Sequence, residues 1–240
     1  MHEITVLIPY GNGTPWRRQA LHSVIAWYVQ NLENARILLG YGREPWCKAR
    51  AVAGALERSR EEPIVIVADA DCIAPGIPQA IQAVRDGAPW AMPHLKVHRL
   101  SRQATVKVHE GVDPALLTDR RLWLDQNPYL GYEGGGVTVL GRQAYLDCPL
   151  DPAFVGWGQE DESWAMALNG LYGPPWRSMA PLYHLWHEKP ARLTRYAGSE
   201  ASLARLADYK RTRIDGDWAA LLEDAREVAQ AAARQGKVAI

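Results

Sequence analysis

Phenylalanine is nearly missing from this chain: Phe154 stands alone beside ten tryptophans and ten tyrosines in 240 residues. Cysteine is sparse as well. Cys47, Cys72 and Cys148 are odd in number and lack metal-ligand spacing, which argues against a disulfide framework or a thiolate metal site. There is no charge excess, since 27 basic residues balance 27 acidic ones. Nothing global therefore draws the chain to nucleic acid or to a membrane surface, and only a local patch stays open. No apolar run approaches the ~20 residues of a membrane span. The opening segment, Met1 to Pro9, has neither a basic n-region nor a long apolar stretch, so it does not read as a signal peptide. A reducing, cytoplasmic setting is expected, in which the sequon Asn12-Gly13-Thr14 has no meaning. Repeats, low-complexity tracts and linkers are also missing, and one domain over 1–240 is the economical reading.

What is present is mostly ordered by period. Ile4-Thr5-Val6-Leu7-Ile8, Ala35 to Gly40 and Pro63 to Ala68 are short apolar runs of the kind found in strands buried on both faces. Pro15 opens a helix reaching Asn31, and a second helix is expected from about Trp46 to Ser59. That β-α-β-α-β order predicts an α/β fold with a mostly parallel central sheet flanked by helices. Ligands then bind beyond the carboxyl ends of the strands, where Pro9-Tyr10 and Asp69-Ala70-Asp71 fall. From about Lys96 to Tyr132 the pattern is irregular and modestly basic, and reads as a surface loop or a wall of an acceptor site. Gly134-Gly135-Gly136 precedes another strand at Val137 to Leu140. At the end, Trp218, Leu221, Leu222, Ala225, Val228 and Ala232 mark one face of an amphipathic helix, within a helical extension over about 200–236. That helix packs on the domain or on a second copy of the chain. The tryptophans and tyrosines mostly fill the core, yet their apolar faces and polar handles also suit stacking on sugars or bases.

Three segments carry chemistry. In extended backbone, residues i and i+2 face the same way, so Asp69 and Asp71 present two carboxylates to one spot. Hard oxygen ligands of that kind suit Mg²⁺ or Mn²⁺ shared with phosphate. Glu160, Asp161 and Glu162 follow Gly156-Trp157-Gly158-Gln159 and open a helix. First-turn acids are explained by the helix dipole, but an indole between two glycines is not. A carboxylate beside an indole platform is suited to holding a sugar hydroxyl and taking its proton. His184 and His187, in Tyr183-His184-Leu185-Trp186-His187-Glu188, offer an imidazole ligand to the metal and a donor to phosphate.

Together these segments resemble the GT-A glycosyltransferases, in particular the group containing the β-1,4-galactosyltransferases and the catalytic domains of polypeptide N-acetylgalactosaminyltransferases. The resemblance runs in order from Val6 to about Pro190, through Pro9-Tyr10, Asp69-Ala70-Asp71, Glu133-Gly134-Gly135-Gly136, Gly156-Trp157-Gly158-Gln159-Glu160-Asp161 and His184-Leu185-Trp186-His187. It implies a GT-A, Rossmann-like fold, Mn²⁺ or Mg²⁺, and a nucleotide-sugar donor with uridine as the first guess. Pro9 and Tyr10 would line the base pocket and Arg50 would face the donor. Asp69 and Ala70 would contact the donor, with Asp71 and His184 on the metal and His187 near the diphosphate. Gly135 and Gly136 would let backbone approach the donor sugar. Trp157, Gly158, Glu160 and Glu162 would shape the sugar and acceptor pocket, with Asp161 the catalytic base of an inverting transfer. Two departures stand out: Gly40-Tyr41-Gly42-Arg43 lacks the acid that many relatives carry after the second strand, and Gln159 replaces a usual glycine.

The expected activity is transfer of a sugar to a hydroxyl of a saccharide or glycolipid. Three other readings compete with it. One is a DNA acceptor carrying a hydroxylated base, against which net neutrality argues. A sugar nucleotidyltransferase would want a lysine in the Gly11-Asn12-Gly13-Thr14 loop, which has none. A non-catalytic sugar-binding module would leave Asp71, Asp161 and His184 without purpose.

Overall fold

The computed structural model describes residues 2–11, 13–125, 127–130, 133–156, 158–188 and 199–238. The chain opens with β1 (Ile4–Tyr10), α1 (Pro15–Asn31), β2 (Ala35–Tyr41), α2 (Lys48–Leu56) and β3 (Ile64–Ala68). Apolar residues run continuously along these strands because both faces are covered. Val6, Ile8, Ile64 and Ile66 point into one core, with α1 residues such as Val24 and Tyr28. Leu7, Val65 and Val67 point into the other, with Val52 and Leu56 of α2. Next come β4 (Cys72–Ile73), α3 (Ile77–Arg85), β5 (Trp90–Met92), β6 (Lys96–Arg99), α4 (Arg102–His109), β7 (Tyr129–Leu130) and β8 (Val137–Gly141). The rest is α5 (Arg142–Asp147), α6 (Glu160–Tyr172), β9 (Trp176–Arg177), β10 (Pro181–His184), α7 (Glu200–Asp215), α8 (Trp218–Leu221) and α9 (Glu223–Val238).

The main sheet has six strands in the order β2-β1-β3-β8-β5-β9. β1 is parallel to β2 and β3, and β5 to β9, while β8 runs against both of its neighbours. The mostly parallel sheet expected from the sequence is therefore present. A smaller sheet, β4-β10-β6-β7, stands beside it.

That second sheet corrects the reading of 96–132 as an irregular loop. β6 and α4 lie inside this stretch, and Val97, Leu100, Ala104 and Val108 are buried in the first core. A four-residue strand and a two-turn helix are too short to show a period. The C-terminal segment is corrected too. The helix breaks at Leu222, and Val228 is exposed rather than inward. The face that α9 turns to α2 and α5 carries Ala225, Ala229 and Ala232, small enough for close approach. Buried tryptophans pair their indole N–H groups: Trp90 donates to the Gly173 carbonyl and Trp164 to that of Cys148. No helix among the described residues is long and apolar enough to cross a membrane.

Candidate functional site

Three features meet at the carboxyl end of β3. β3 delivers Asp69, whose backbone N–H donates to the Gly136 carbonyl at 2.7 Å. Because β8 runs antiparallel, pairing Val137 with Ala68, the glycines that lead into it reach the same end as the residues that leave β3. β4 then folds against β10 with His184 opposite Cys72, and the Leu185 N–H donates to the Asp71 carbonyl at 2.8 Å. This register sets His184 and the following His187 over Asp71.

Asp71, His184 and His187 each offer a ligand atom within 4.8 Å of the others. His187 Nε2 stands 3.1 Å from Asp71 Oδ2, and His184 Nε2 3.9 Å from Oδ1. Both histidines turn Nδ1 to a backbone carbonyl next along the chain, Leu185 O at 3.0 Å and Glu188 O at 2.8 Å. With Nδ1 as the N–H, His184 Nε2 keeps its lone pair, while His187 Nε2 shares its proton with Asp71 and is freed for a metal ion once that proton leaves; second-shell carbonyls orient metal-ligating imidazoles in this way. One carboxylate and two such nitrogens fit a divalent ion such as Mn²⁺. Burial pushes the Asp71 carboxyl up, but His184, the hydrogen bond from His187 and Arg17 outweigh it and hold it well below the usual carboxylate range. Burial lowers His184, and the hydrogen bond to Asp71 raises His187 in spite of burial.

Beside this group lies a second one that the sequence did not reveal. Lys48, at the first position of α2 and only 7% exposed, places Nζ 2.7 Å from both Asp69 Oδ1 and Asp161 Oδ1. Burial disfavours its charge, but Asp161, Asp69 and Glu160 keep the ammonium protonated far into the alkaline range. Asp69 is raised to about 6, first by burial, then by repulsion from Asp161 and Asp71, with Lys48 opposing. Glu160 is raised to about 7 by burial and by Asp161, and its Oε2 has no hydrogen-bond partner among the described residues. A signal for Lys48 did exist. Lys48, Ala51, Val52 and Ala55 fall at i, i+3, i+4 and i+7, one helical face, and all four are buried.

The expected site residues divide as follows. Asp69, Asp71, Asp161, Glu160, His184 and His187 converge, with half-buried Ala70 between the two aspartates. Gly134 and Gly136 both have positive φ, and Gly135 lies between them. A Cβ on Gly134 would stand 2.6 Å from the Asp161 carbonyl, so glycine lets this loop press against the first turn of α6. Gly158 has φ +107 and Gln159 φ +76, so Gln159 occupies a left-handed position that glycine prefers. Trp157 lies outside the described residues. Arg50 is exposed on α2, and Lys48 is the residue of that helix that reaches the carboxylates. Glu162, one residue further around α6 than Asp161, pairs with Lys210 of α7 at 3.7 Å. Pro9 is buried and Tyr10 half-buried, edge-on to Tyr41. Trp46, read from sequence only as the start of a helix, lays its indole across Gly11 and Gly42, where a Cβ would lie 3.0 and 2.3 Å from the ring. An aromatic face therefore stands beside Tyr10 at the end of β1.

No protein-family model matches this sequence, and neither does any curated protein. Solved structures do. GalNAc-T7 with UDP, GalNAc and Mn²⁺ has a TM-score of 0.50 at 12% identity, covering 100% of this chain and 56% of that one. Glucosyl-3-phosphoglycerate synthase from Mycobacterium tuberculosis, with Mn²⁺, UDP and glucosyl-3-phosphoglycerate, has a TM-score of 0.47 at 16% identity, covering 92% of this chain and 79% of that one. A Drosophila β-1,4-galactosyltransferase 7 mutant, with manganese, UDP-Gal and xylobiose, has a TM-score of 0.44 at 13% identity, covering 80% and 78%. The likeness to GalNAc-T7 is one of fold, and the fold is the GT-A architecture that the sequence resemblance implied.

Proposed function

We propose that the chain is a metal-dependent, inverting glycosyltransferase that moves a sugar from a nucleotide-sugar, first of all a UDP-sugar, to a hydroxyl of a saccharide or glycolipid. One observation carries this reading. A carboxylate–imidazole group of metal-ligand type and a lysine-bridged pair of carboxylates lie side by side at the carboxyl ends of the parallel strands. Asp71, His184 and His187 would hold Mn²⁺ or Mg²⁺. Bound there, the ion would neutralise charge growing on the leaving diphosphate. Pro9, Tyr10 and Trp46 border the space for the base, and Gly135 and Gly136 that for the donor sugar.

Asp161 is the proposed base, taking the acceptor proton as the hydroxyl attacks the anomeric carbon from the face opposite the diphosphate. Lys48 positions it, tying α6 to Asp69 on the donor side. Glu160, titrating near neutrality, borders the acceptor in company with Asp161.

The test is a donor screen reading Mn²⁺-dependent release of nucleotide, followed by Asp71→Ala and Asp161→Asn on the best donor. Each variant is expected to lower turnover at least about a hundredfold, the scale of a lost general base or metal ligand. Unchanged turnover in either would sink the assigned role, and no turnover with any nucleotide-sugar would sink the function.

A further inference from the structure

His184 and His187 reach Asp71 by different means. His184 is the last residue of β10, and its strand register places it opposite Cys72 of β4 and Arg99 of β6. The Leu185 N–H then bonds the Asp71 carbonyl. His187 lies beyond the strand, where α1 and α4 hold the chain instead. The Trp186 N–H donates to Thr105 Oγ1 of α4 at 2.8 Å, and the Trp186 ring meets Trp16 of α1 edge to face at 5.0 Å. Arg102, at the start of α4, lies with its guanidinium 4.7 Å from the Trp16 ring centre and 5.6 Å from that of Trp186. On the other side of His187, Thr14 Oγ1 donates to Glu188 Oε2 at 2.6 Å, across 174 residues of sequence. That length is typical of a hydroxyl on an ionised carboxylate, the stronger kind of hydrogen bond. Thr14 is also the N-cap of α1, accepting from the Arg17 N–H, so its hydroxyl sits at a fixed helix end. The Glu188 carbonyl in turn receives the His187 Nδ1 proton at 2.8 Å.

We propose that Glu188 is a positioning residue: tied to Thr14, it fixes the backbone carbonyl that orients His187, and so presets Nε2 for a divalent ion. The inference rests on the metal-site reading given under the proposed function. Both partners of the tie are exposed, where water competes for each of them, so the bond adds little to the stability of the whole fold. Its effect is local. Without it, one end of the 186–188 segment is released, and an arriving ion has to order that backbone as it binds, which weakens binding. Outer contacts that orient a ligating imidazole are worth about 10–100-fold in metal affinity.

The experiment is calorimetric titration of the intact chain with Mn²⁺ alone, for the wild type, Glu188→Ala, Glu188→Gln, Thr14→Val and the double variant Thr14→Val/Glu188→Ala. Thermal unfolding checks that each is folded. Glu188→Ala is expected to weaken Mn²⁺ binding about tenfold, the lower end of that range. Glu188→Gln keeps an oxygen for the Thr14 hydroxyl and is expected to restore most of the affinity. A carboxylate also attracts a cation by its charge alone, and this variant separates that attraction from the tie. Thr14→Val should match Glu188→Ala, and the double variant should bind no more weakly than either, since the same bond is lost in all three. Wild-type affinity in Glu188→Ala overturns the proposal, and so does Glu188→Gln binding as weakly as Glu188→Ala. A wild type that ignores Mn²⁺ overturns the metal-site reading and the proposal with it. If Mn²⁺ affinity depends on the tie while no nucleotide-sugar turns over, the tie stands and the transferase reading falls.

Discussion

His187 turns Nδ1 to the Glu188 carbonyl and Nε2 to Asp71, so both ring nitrogens face acceptors and the imidazole retains its second proton above the usual range. A histidine whose folded-state pKa is raised contributes stability that is fully present below the unfolded value of about 6.5 and is lost as pH rises through the folded one. Mn²⁺ bound at the same Nε2 has to displace that proton. Its affinity is therefore expected to climb with pH until the raised His187 value is passed, by at most about tenfold per unit, and His187→Gln to flatten the climb. Calorimetry at several pH values checks this, and an affinity independent of pH would remove His187 from the ligand set. Gln159 is a second single-residue case. Its φ of +76 costs a side chain about 1 kcal/mol, and a β-branched one more. Gln159→Gly should leave stability unchanged or raise it by up to about 1 kcal/mol, while Gln159→Val lowers it by about 1–2 kcal/mol in urea unfolding. The resemblance marked glycine as usual before Glu160-Asp161, and the positive φ of Gln159 supplies the backbone reason that the sequence did not show. Lys48 was not legible in the same way, because its partner Asp161 lies 113 residues away and a lone lysine on a helix reads as solvated.

Among the elements, α2 governs the site more than its nine residues suggest. It lies so close to β2 that a Cβ on Gly40 would stand 1.7 Å from the Ala51 carbonyl oxygen. A backbone oxygen cannot yield as a flexible side chain would. Gly40→Ala is expected to push α2 outward, destabilise the fold by about 1–3 kcal/mol or more, and carry Lys48 away from Asp69 and Asp161. Denaturant unfolding measures the first effect and donor turnover in the folded fraction the second; a variant as stable as wild type would show that the helix has room. The three leading strands were legible because burial on both faces makes them apolar throughout. β4 and β7, at two residues each, carry no pattern of their own and exist only by pairing with β10 and β6.

For the whole molecule, the two cores on either side of the main sheet are closed by different parts of the chain. α1, α3 and α4 close the first, while α6, α7 and α9 join α2 and α5 over the second. Deleting residues 217–240 would strip Trp218, Leu222, Ala229, Ala232 and Ala233 from the second core and expose α2 beneath them. The shortened chain is expected to lose its sharp unfolding transition and to bind hydrophobic dyes, and a truncated protein with a wild-type melting curve would contradict this. β8 has a further consequence for anyone modifying the protein. Since it runs against its neighbours, its entry at Gly134–Gly136 and its exit at Gly141 lie at opposite ends of the sheet. A fluorophore or tether attached at Gln143, exposed on α5, would therefore sit a full strand length from the carboxylates and report on the protein without crowding its chemistry.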